Sequence, residues 1–139
     1  MTGIIKVNEL QGRTTANDIT VTVGATATMS LETGLVKAWI NFDGTGTAAA
    51  RDSFGLSSLT DLQTGEYRHT FTSSFTNNDY ASSGTSRRPG TSSGGPPQIP
   101  SDSDADMTTS YADGYTARIS DGVNIDQEYN TVVFHGDLA

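Results

Sequence analysis

The chain has 139 residues, of which 34% are hydrophobic and 17% are charged, and it contains 21 Thr, 15 Ser, 15 Gly and no Cys. This composition excludes a helical bundle or coiled coil, which needs far more Ala, Glu, Lys, Leu and Arg, and the lack of Cys excludes disulfides, thiol catalysis and thiolate metal sites. A net charge of −8 opposes binding to nucleic acid and to anionic membranes, and no apolar run approaches the ~18 residues of a membrane span.

Residues 1–34 predict a small N-terminal element with two strands and a short helix. Residues 4–7 and 19–23 are rich in β-branched side chains, as strands are. Residues 27–34 combine Ser and Thr that could cap a helix, an acidic residue and a closing Gly, which together predict a short helix. A helix of this length is not stable alone, so the element needs a packing partner.

Residues 35–139 predict an antiparallel β-sandwich. Its apolar runs are dominated by β-branched residues and Thr, and turn residues separate them at short intervals. No helix of crossover length is predicted, which excludes a parallel α/β architecture. The predicted fold is therefore all-β, a jelly-roll-like sandwich behind an N-terminal strand/helix assembly segment. Its predicted strands are residues 36–42, 54–59, 66–75, 107–119 and 129–134.

Residues 82–106 interrupt the strand pattern. They contain all four Pro of the chain together with several Gly and many Ser. Such a composition has no face to bury, which predicts a long loop. Loops of this length are usually functional or disordered, so a surface excursion and a contact arm that orders against a partner remain two interpretations.

Two local patterns resemble ligand sites. Residues 44–49 match G-x-G-x-x-A, but the few residues before Gly55 cannot form the helix that a dinucleotide site requires, so we interpret them as a turn between strands. Alternating carboxylates downstream resemble the start of a calcium loop, although Met107 occupies the position where an EF-hand needs Gly. They are weak metal candidates beside the interpretation as a solvated acidic loop: Asp102, Asp104, Asp106 and Asp113.

The sequence contains no clear motif for catalysis. Alternation in residues 66–75 places His69 on one face with Tyr67 and Phe71, which predicts a packed histidine rather than a catalytic one. The Ser-rich sequence contains no G-x-S-x-G nucleophile elbow, and no spacing selects a pair of carboxylates for glycoside hydrolysis. We therefore predict no enzyme activity, no catalytic residue and no cofactor.

Several aromatic and basic side chains are candidates for surface contacts. Exposed aromatic residues on a β-sandwich can stack on sugars or anchor a protein interface. Those that lie close to predicted loops are Tyr80, Tyr111 and Tyr115, and one basic pair, Arg87 and Arg88, lies within the predicted loop 82–106. The pair is too short a patch for nucleic-acid binding.

The chain resembles modules of tailed-bacteriophage fibres, which recur in phages of marine bacteria. The resemblance covers most of residues 8–81 and about 107–137, whereas the Pro-rich segment departs from it. The matching sequence includes GLVKAWINFDGTGT, ARDSF, LTD, TGEY, NDYA, TVVFHGD and the lead-in LQGRTTAN. The resemblance implies a virion-surface structural protein built as an oligomeric β-sandwich knob behind a short assembly segment, and it supplies no catalytic residues.

We expect the chain to be a structural protein of a tailed-phage virion. Its small size suits a protein present in many copies, such as a capsid decoration, cement or head-fibre protein. The alternative is a receptor- or glycan-binding tip module, whose contact surface is formed by residues 43–52, 76–106 and 121–128. Because MTGIIKVNEL lacks the pattern of a secretion signal, we expect synthesis in the host cytoplasm followed by assembly on the virion surface.

The expected partners follow from the same interpretation. We expect a homo-oligomer, with a trimer favoured, docked on the major capsid protein or another virion protein. A host surface glycan is a further candidate, whereas nucleic acid and membrane insertion are not expected. The predicted interface consists of apolar side chains of the N-terminal segment and its junction: Ile4, Ile5, Val7, Leu10, Met29, Leu31 and Leu35.

Overall fold

The computed structural model describes residues 7–11, 19–23, 27–31, 34–87, 107–118 and 121–139. The chain divides into two compact units, Met1–Leu35 and Val36–Ala139, one residue beyond the boundary expected from the sequence. The described residues form strands, turns and irregular segments without a helix. Of the first predicted strand, residues 4–6 lie outside the described residues, and Val7 is not in a strand.

The N-terminal unit contains an antiparallel hairpin of β1 (Thr20–Val23) and β2 (Ala27–Ser30). The prediction of a helix over residues 27–34 is therefore wrong. Every residue of β2 lies opposite a residue of β1, so pairing provides hydrogen bonds along one edge of the strand, whereas a helix of one or two turns has an unfavourable nucleation step and few hydrogen bonds to offset it. The pairing continues beyond the strands, because the Leu31 amide donates to the Ile19 carbonyl at 2.7 Å.

The described part of the second unit contains the strands β3 (Ala38–Asp43), β4 (Ala49–Phe54), β5 (Leu56–Gln63), β6 (Glu66–Phe71), β7 (Ala81–Arg87), β8 (Tyr111–Tyr115) and β9 (Tyr129–His135). They form two antiparallel sheets, one with strand order β4-β3-β9-β7 and the other with strand order β5-β6-β8. Aromatic contacts join their inner faces: the ring centroids of Phe42 and Tyr67 are 4.9 Å apart, and those of Phe71 and Phe134 are 5.1 Å apart. The predicted all-β antiparallel sandwich is thus confirmed.

The core lies between the two sheets and follows the period-two alternation of their strands. β6 buries Tyr67, His69 and Phe71 on one face, as predicted. Their neighbours across the core include Phe42 on β3 and Phe134 on β9, which are at most 1% exposed. Aromatic side chains at alternate positions of the two sheets therefore pack edge to face across the core, an arrangement that aromatic rings prefer.

A single residue, Gly55, carries the chain from one sheet to the other. β4 ends at Phe54 and β5 begins at Leu56, so the predicted strand over residues 54–59 is wrong as a continuous element. Gly55 adopts φ of +71°, and a Cβ there would collide with the Lys37 carbonyl oxygen. Only glycine combines this backbone conformation with such a close approach.

Two other predicted strands are shorter in the structure. β6 ends at Phe71 rather than at residue 75, because the chain bends and Phe75 instead forms an isolated bridge with Leu138. β8 comprises Tyr111–Tyr115 within the predicted 107–119, and residue 119 itself lies outside the described residues. Met107 forms an isolated bridge with Ala112, so the chain folds back before the strand begins.

The start of the predicted loop 82–106 is also wrong, because Ala81–Arg87 forms β7. Every residue of β7 is paired with β9, from Ala81 opposite His135 to Arg87 opposite Tyr129. Backbone hydrogen bonds to a core strand thus hold a Ser-rich segment that has no apolar face of its own. Residues 88–106, the remainder of that loop, lie outside the described residues.

Candidate functional site

The solvent side of the sheet β4-β3-β9-β7, here called the outer face, carries polar and charged side chains at its Tyr129 end. Towards the other end it carries the apolar side chains of Trp39, Phe54 and Val133. Along β9 the inward residues are buried, and Tyr129 and Thr131 are exposed between them. The residues opposite them on β7, Arg87 and Thr85, are exposed as well. Directly opposed residues share a face, so register alone brings these four side chains together.

Two arginines contact one tyrosine at the end of the outer face. The guanidinium carbons of Arg51 and Arg87 lie 4.6 Å and 4.7 Å from the centroid of the Tyr129 ring. Both distances are within the range of cation–π attraction. Tyr129 is 38% exposed, so this cluster of Arg51, Tyr129 and Arg87, here called the Arg–Tyr–Arg cluster, is open to solvent.

Arg51 is held within the fold by its own hydrogen bonds. Its Nη1 donates to the carbonyls of Phe42 and Glu128 at 3.1 Å and 2.6 Å, and its Nη2 pairs with Asp43 at 2.9 Å. Hydrogen bonds from the Thr45 hydroxyl and amide, together with the Arg51 charge, hold the pKa of Asp43 below its ordinary value despite some desolvation. Arg51 is therefore a fixed and largely neutralised cation.

Arg87 differs from Arg51 in its partners. The structure places Arg87 in contact with the Tyr129 ring, and among the described residues it forms no ion pair with a carboxylate. Stacking engages the face of the guanidinium, whereas its N–H groups lie in the plane and stay available as donors. Its sequence neighbour Arg88 lies outside the described residues.

The outer face also carries hydroxyls beside the Arg–Tyr–Arg cluster. Thr85 and Thr131 are opposite each other, and their hydroxyl oxygens are 2.9 Å apart. Ser83 follows two residues along β7 and is exposed on the same side. Arg87, Thr85 and Ser83 thus form a row along β7, with a positive charge at the Arg87 end and two hydroxyls beyond it.

A second arginine–tyrosine contact lies on the sheet β5-β6-β8. The Arg68 guanidinium carbon is 3.9 Å from the Tyr111 ring centroid, and Arg68 forms a two-point pair with Asp113 at 2.7 Å and 2.6 Å. Tyr111 and Tyr115 are half-buried on the outward side of β8. These predicted contact residues are thus partly covered, and one of them supports an ion pair.

Only one of the four metal candidates lies among the described residues. Asp113 is 6% exposed, and both of its oxygens accept hydrogen bonds from Arg68, so its carboxylate is already engaged. The other candidates, Asp102, Asp104 and Asp106, lie outside the described residues. In the part of the chain that the structure describes, no group of three or more His or acidic residues could hold a metal ion.

The turn after β3 behaves as the sequence indicates. Residues 44–48 connect β3 to β4, and β4 begins at Ala49, where a dinucleotide site would need a helix N-terminus. The interpretation of residues 44–49 as a turn between strands is therefore confirmed. Residues 43–52 are part of the contact surface expected for a tip module, and residues 49–52 of this segment belong to the exposed strand β4 rather than to a loop.

Tyr80 is not a surface contact, and that prediction is wrong. Its side chain is 6% exposed and stacks on Phe75, with ring centroids 4.4 Å apart. The Tyr80 hydroxyl donates to the Tyr111 carbonyl at 3.2 Å, and burial raises the pKa of its phenol above the ordinary value. Tyr80 immediately precedes β7, so the chain enters the sheet with this side chain already directed into the core.

His69 is packed, as predicted. It is 1% exposed, with its ring between Phe42 and Phe134 at centroid distances of 5.6 Å and 5.8 Å. Its Nδ1 is 3.2 Å from the Ala112 carbonyl oxygen, so the neutral ring carries its proton on Nδ1. Burial lowers the pKa of the His69 imidazole to about 4, against weaker opposing effects of the Ala112 carbonyl and the Asp113 charge. It is a core residue, shielded from substrate.

A buried polar cluster near the start of β6 is not predicted from the sequence. The Tyr67 hydroxyl donates to Asp126 at 2.9 Å, and the Asn130 amide donates to the Gln127 carbonyl at 2.7 Å. The side chain of Gln127 is fully buried, and its amide has no partner among the described residues. No periodicity marks residues 121–128, so only the unusual density of polar residues before β9 could have signalled the cluster.

A mainly apolar cavity of about 280 Å³ opens beside the Gly55 corner, with Phe54, Phe71, Phe75 and Leu138 among its walls. Lys37, which is 8% exposed, also contributes to its lining. The remaining polar side chains in the walls are hydroxyls, from Thr72 and Ser73. The lining is suited to packing against an apolar group rather than to acid–base chemistry.

The predicted N-terminal interface is partly described. Val7, Leu10 and Leu35 are 61%, 60% and 53% exposed, and Leu31 is half-buried. Met29 belongs to β2, opposite Val21 of β1. Ile4 and Ile5 lie outside the described residues.

No helix among the described residues has the length and apolarity that crossing a bilayer requires. No family model matches the chain, and comparisons with curated proteins and with solved structures find no match either.

Proposed function

We propose that this chain is a non-enzymatic structural protein exposed on the surface of a tailed-phage particle, as a capsid decoration, cement or head-fibre protein. Its resemblance to phage fibre modules supports this proposal. A small antiparallel sandwich with an aromatic core is compatible with a protein that is displayed in many copies. An acidic exterior, from a net charge of −8, would keep it away from packaged nucleic acid.

The observation that carries the proposal is the exposed apolar surface of the N-terminal unit. Val7, Leu10 and Leu35 are each more than half exposed. The hairpin of β1 and β2 has two strands, and an isolated two-stranded hairpin is at best marginally stable in water. A partner surface that covers these side chains would gain about 25 cal/mol for each Å² of apolar surface buried.

The expected partner is a second copy of the chain, with a trimer favoured, or the major capsid protein. Association of copies through the N-terminal unit would leave the sandwich to form the exposed knob. This arrangement assigns attachment to Met1–Leu35 and display to Val36–Ala139.

The first test counts copies of the protein on purified phage particles by gel densitometry against the major capsid protein. A ratio near one per capsid subunit, or a simple fraction of it, supports the decoration or cement role. A few copies per particle would place the protein on a fibre or tip instead, and its absence from the particle would refute the proposal.

The second test asks whether the N-terminal unit makes the attachment. Joint replacement of Val7, Leu10 and Leu35 by Ser should abolish binding to particles that lack the protein. The matched control replaces Leu62 and Val123 by Ser, since these side chains are 44% and 52% exposed on the sandwich. If the control variant loses binding and the N-terminal variant keeps it, attachment through Met1–Leu35 is wrong.

A further inference from the structure

Arg87 is a preorganised cation on a predominantly acidic protein. Contact with the Tyr129 ring restrains its long side chain, so less conformational entropy remains to be lost when a ligand binds. Arg51 contacts the same ring and is itself anchored by two carbonyls and Asp43, which fixes the tyrosine. The Arg–Tyr–Arg cluster therefore holds the Arg87 guanidinium in place while its N–H edge is available to solvent.

The charge of Arg87 is the second observation. Asp43 pairs with Arg51, and the other described ion pairs join Arg68 to Asp113 and Arg118 to Asp121. Within the described ranges, Arg87 thus has no carboxylate of its own. A planar guanidinium binds a carboxylate through two parallel hydrogen bonds, which is the geometry that favours arginine over lysine.

The residues around Arg87 indicate which kind of carboxylate-bearing molecule would fit this face. Thr85 and Ser83 continue the exposed row along β7, and Thr131 faces Thr85 from β9. With a rise of about 3.4 Å per residue, the row from Arg87 to Ser83 is about 14 Å long. Hydroxyls spaced along a strand suit the hydroxyls of an extended sugar chain, because each can donate and accept a hydrogen bond.

From these observations we propose that the outer face binds a carboxylate-bearing polysaccharide, with Arg87 receiving a carboxylate and the hydroxyl row contacting neighbouring sugars. Tyr129 acts as a positioning residue. The net charge of −8 opposes polyanions of high charge density, such as nucleic acid, and a site with one unpaired cation fits a more sparsely charged chain. This binding is a property of the isolated protein and does not depend on a role in the virion.

The test measures binding of the purified full chain to oligogalacturonate, in which each sugar carries a carboxylate, by isothermal titration calorimetry at low salt. Dextran is the neutral comparison, and poly-glutamate is the acidic comparison without sugar. We expect binding to oligogalacturonate, none to dextran and weaker binding to poly-glutamate. Equal binding to dextran, stronger binding to poly-glutamate or no binding to oligogalacturonate would each overturn the proposal.

Variants assign the site. Arg87→Gln should weaken oligogalacturonate binding at least tenfold, because it removes the charge and the two-point donor geometry while keeping a polar side chain. Arg118→Gln is the matched control, since Arg118 is exposed and paired with Asp121, and it should leave affinity unchanged. Tyr129→Leu should weaken binding several-fold without altering the unfolding midpoint by more than the control does. If Arg87→Gln binds as tightly as the unaltered protein, Arg87 is not the receptor of the carboxylate.

Discussion

Lowering the pH should destabilise the sandwich through His69 before its carboxylates titrate. The pKa of His69 is about 4 in the folded protein and near its ordinary value of 6.5 when unfolded. The unfolded chain therefore binds more protons between these values, so the free energy of unfolding falls as the pH drops through 6.5 and levels off below 4. At 1.36 kcal/mol per unit, the full effect is about 3 kcal/mol, of which about 2 kcal/mol is lost between pH 7.5 and pH 5.

The structure supplies the reason for this loss. Since Nδ1 faces the Ala112 carbonyl, an added proton must go to Nε2. Nε2 is buried and has no hydrogen-bond partner among the described residues. A charged imidazolium would sit among aromatic rings with nothing to accept its second N–H, which is a costly arrangement.

Urea unfolding at pH 7.5 and pH 5, followed by the fluorescence of Trp39, measures the effect, because the single tryptophan lies in β3. His69→Phe keeps an aromatic ring in the core and removes the titrating group. The difference in unfolding free energy between the two pH values should therefore be about 2 kcal/mol smaller in the variant. Equal pH dependence in both proteins would refute the reasoning, as would an NMR titration in which the folded His69 ring gains its proton near pH 6.5.

Two further predictions concern the corner and the ion pair. Gly55→Ala should lower the free energy of unfolding by about 2–5 kcal/mol, because the new side chain both strains the backbone and collides with the Lys37 carbonyl oxygen. Gly122 has the same φ of +71° but lies in open space, so Gly122→Ala should lower it by only about 1–2 kcal/mol. Equal shifts in the urea midpoint of the two variants would contradict the collision. Asp113→Asn should lower the free energy of unfolding by about 1–2 kcal/mol, a value reduced because solvent reaches Arg68 and screens the pair. The control, Asp121→Asn, breaks an exposed pair and should change the free energy of unfolding by less than about 0.5 kcal/mol. If the two variants are equally stable, the buried pair adds nothing measurable.

Strand identity could be predicted where each strand carries its own alternation. In residues 66–71 the shared face of Tyr67, His69 and Phe71 could be predicted because large side chains repeat there at every second position, and residues 129–134 could be predicted as a strand from their β-branched and aromatic side chains. The alternation in residues 36–42 likewise marks β3. For these strands the local pattern and the tertiary structure agree.

The remaining features depend on pairing that the local sequence does not encode. β7 is a strand because β9 lies beside it, although Ser and Gly resemble loop sequence. β2 is a strand because β1 pairs with it, despite helix-like capping residues. The Gly55 corner requires knowledge of which sheet each neighbour joins.

The candidate site illustrates the same limit. Arg87 could be singled out from the sequence, but its partner Tyr129 is about 40 residues further along the chain and meets it only through the β7–β9 register. Tyr80 was assigned to the surface because it adjoins a Ser-rich segment, yet that segment is a strand. Proximity to loop-like sequence is therefore a poor guide to exposure when small residues form the strand.

The position of β9 between β3 and β7 has a consequence for synthesis on the ribosome. β3 is translated about 90 residues before β9, and at about 5–20 residues per second this delay is on the order of 5–20 s. Until β9 is translated, β3, which carries the core residues Ile40 and Phe42, lacks one of its two neighbouring strands. β7 lacks its only pairing partner in the described sheet. The nascent chain must therefore stay open until β9 emerges, and the outer face, including the Arg87–Tyr129 contact, is assembled among the last parts of the molecule.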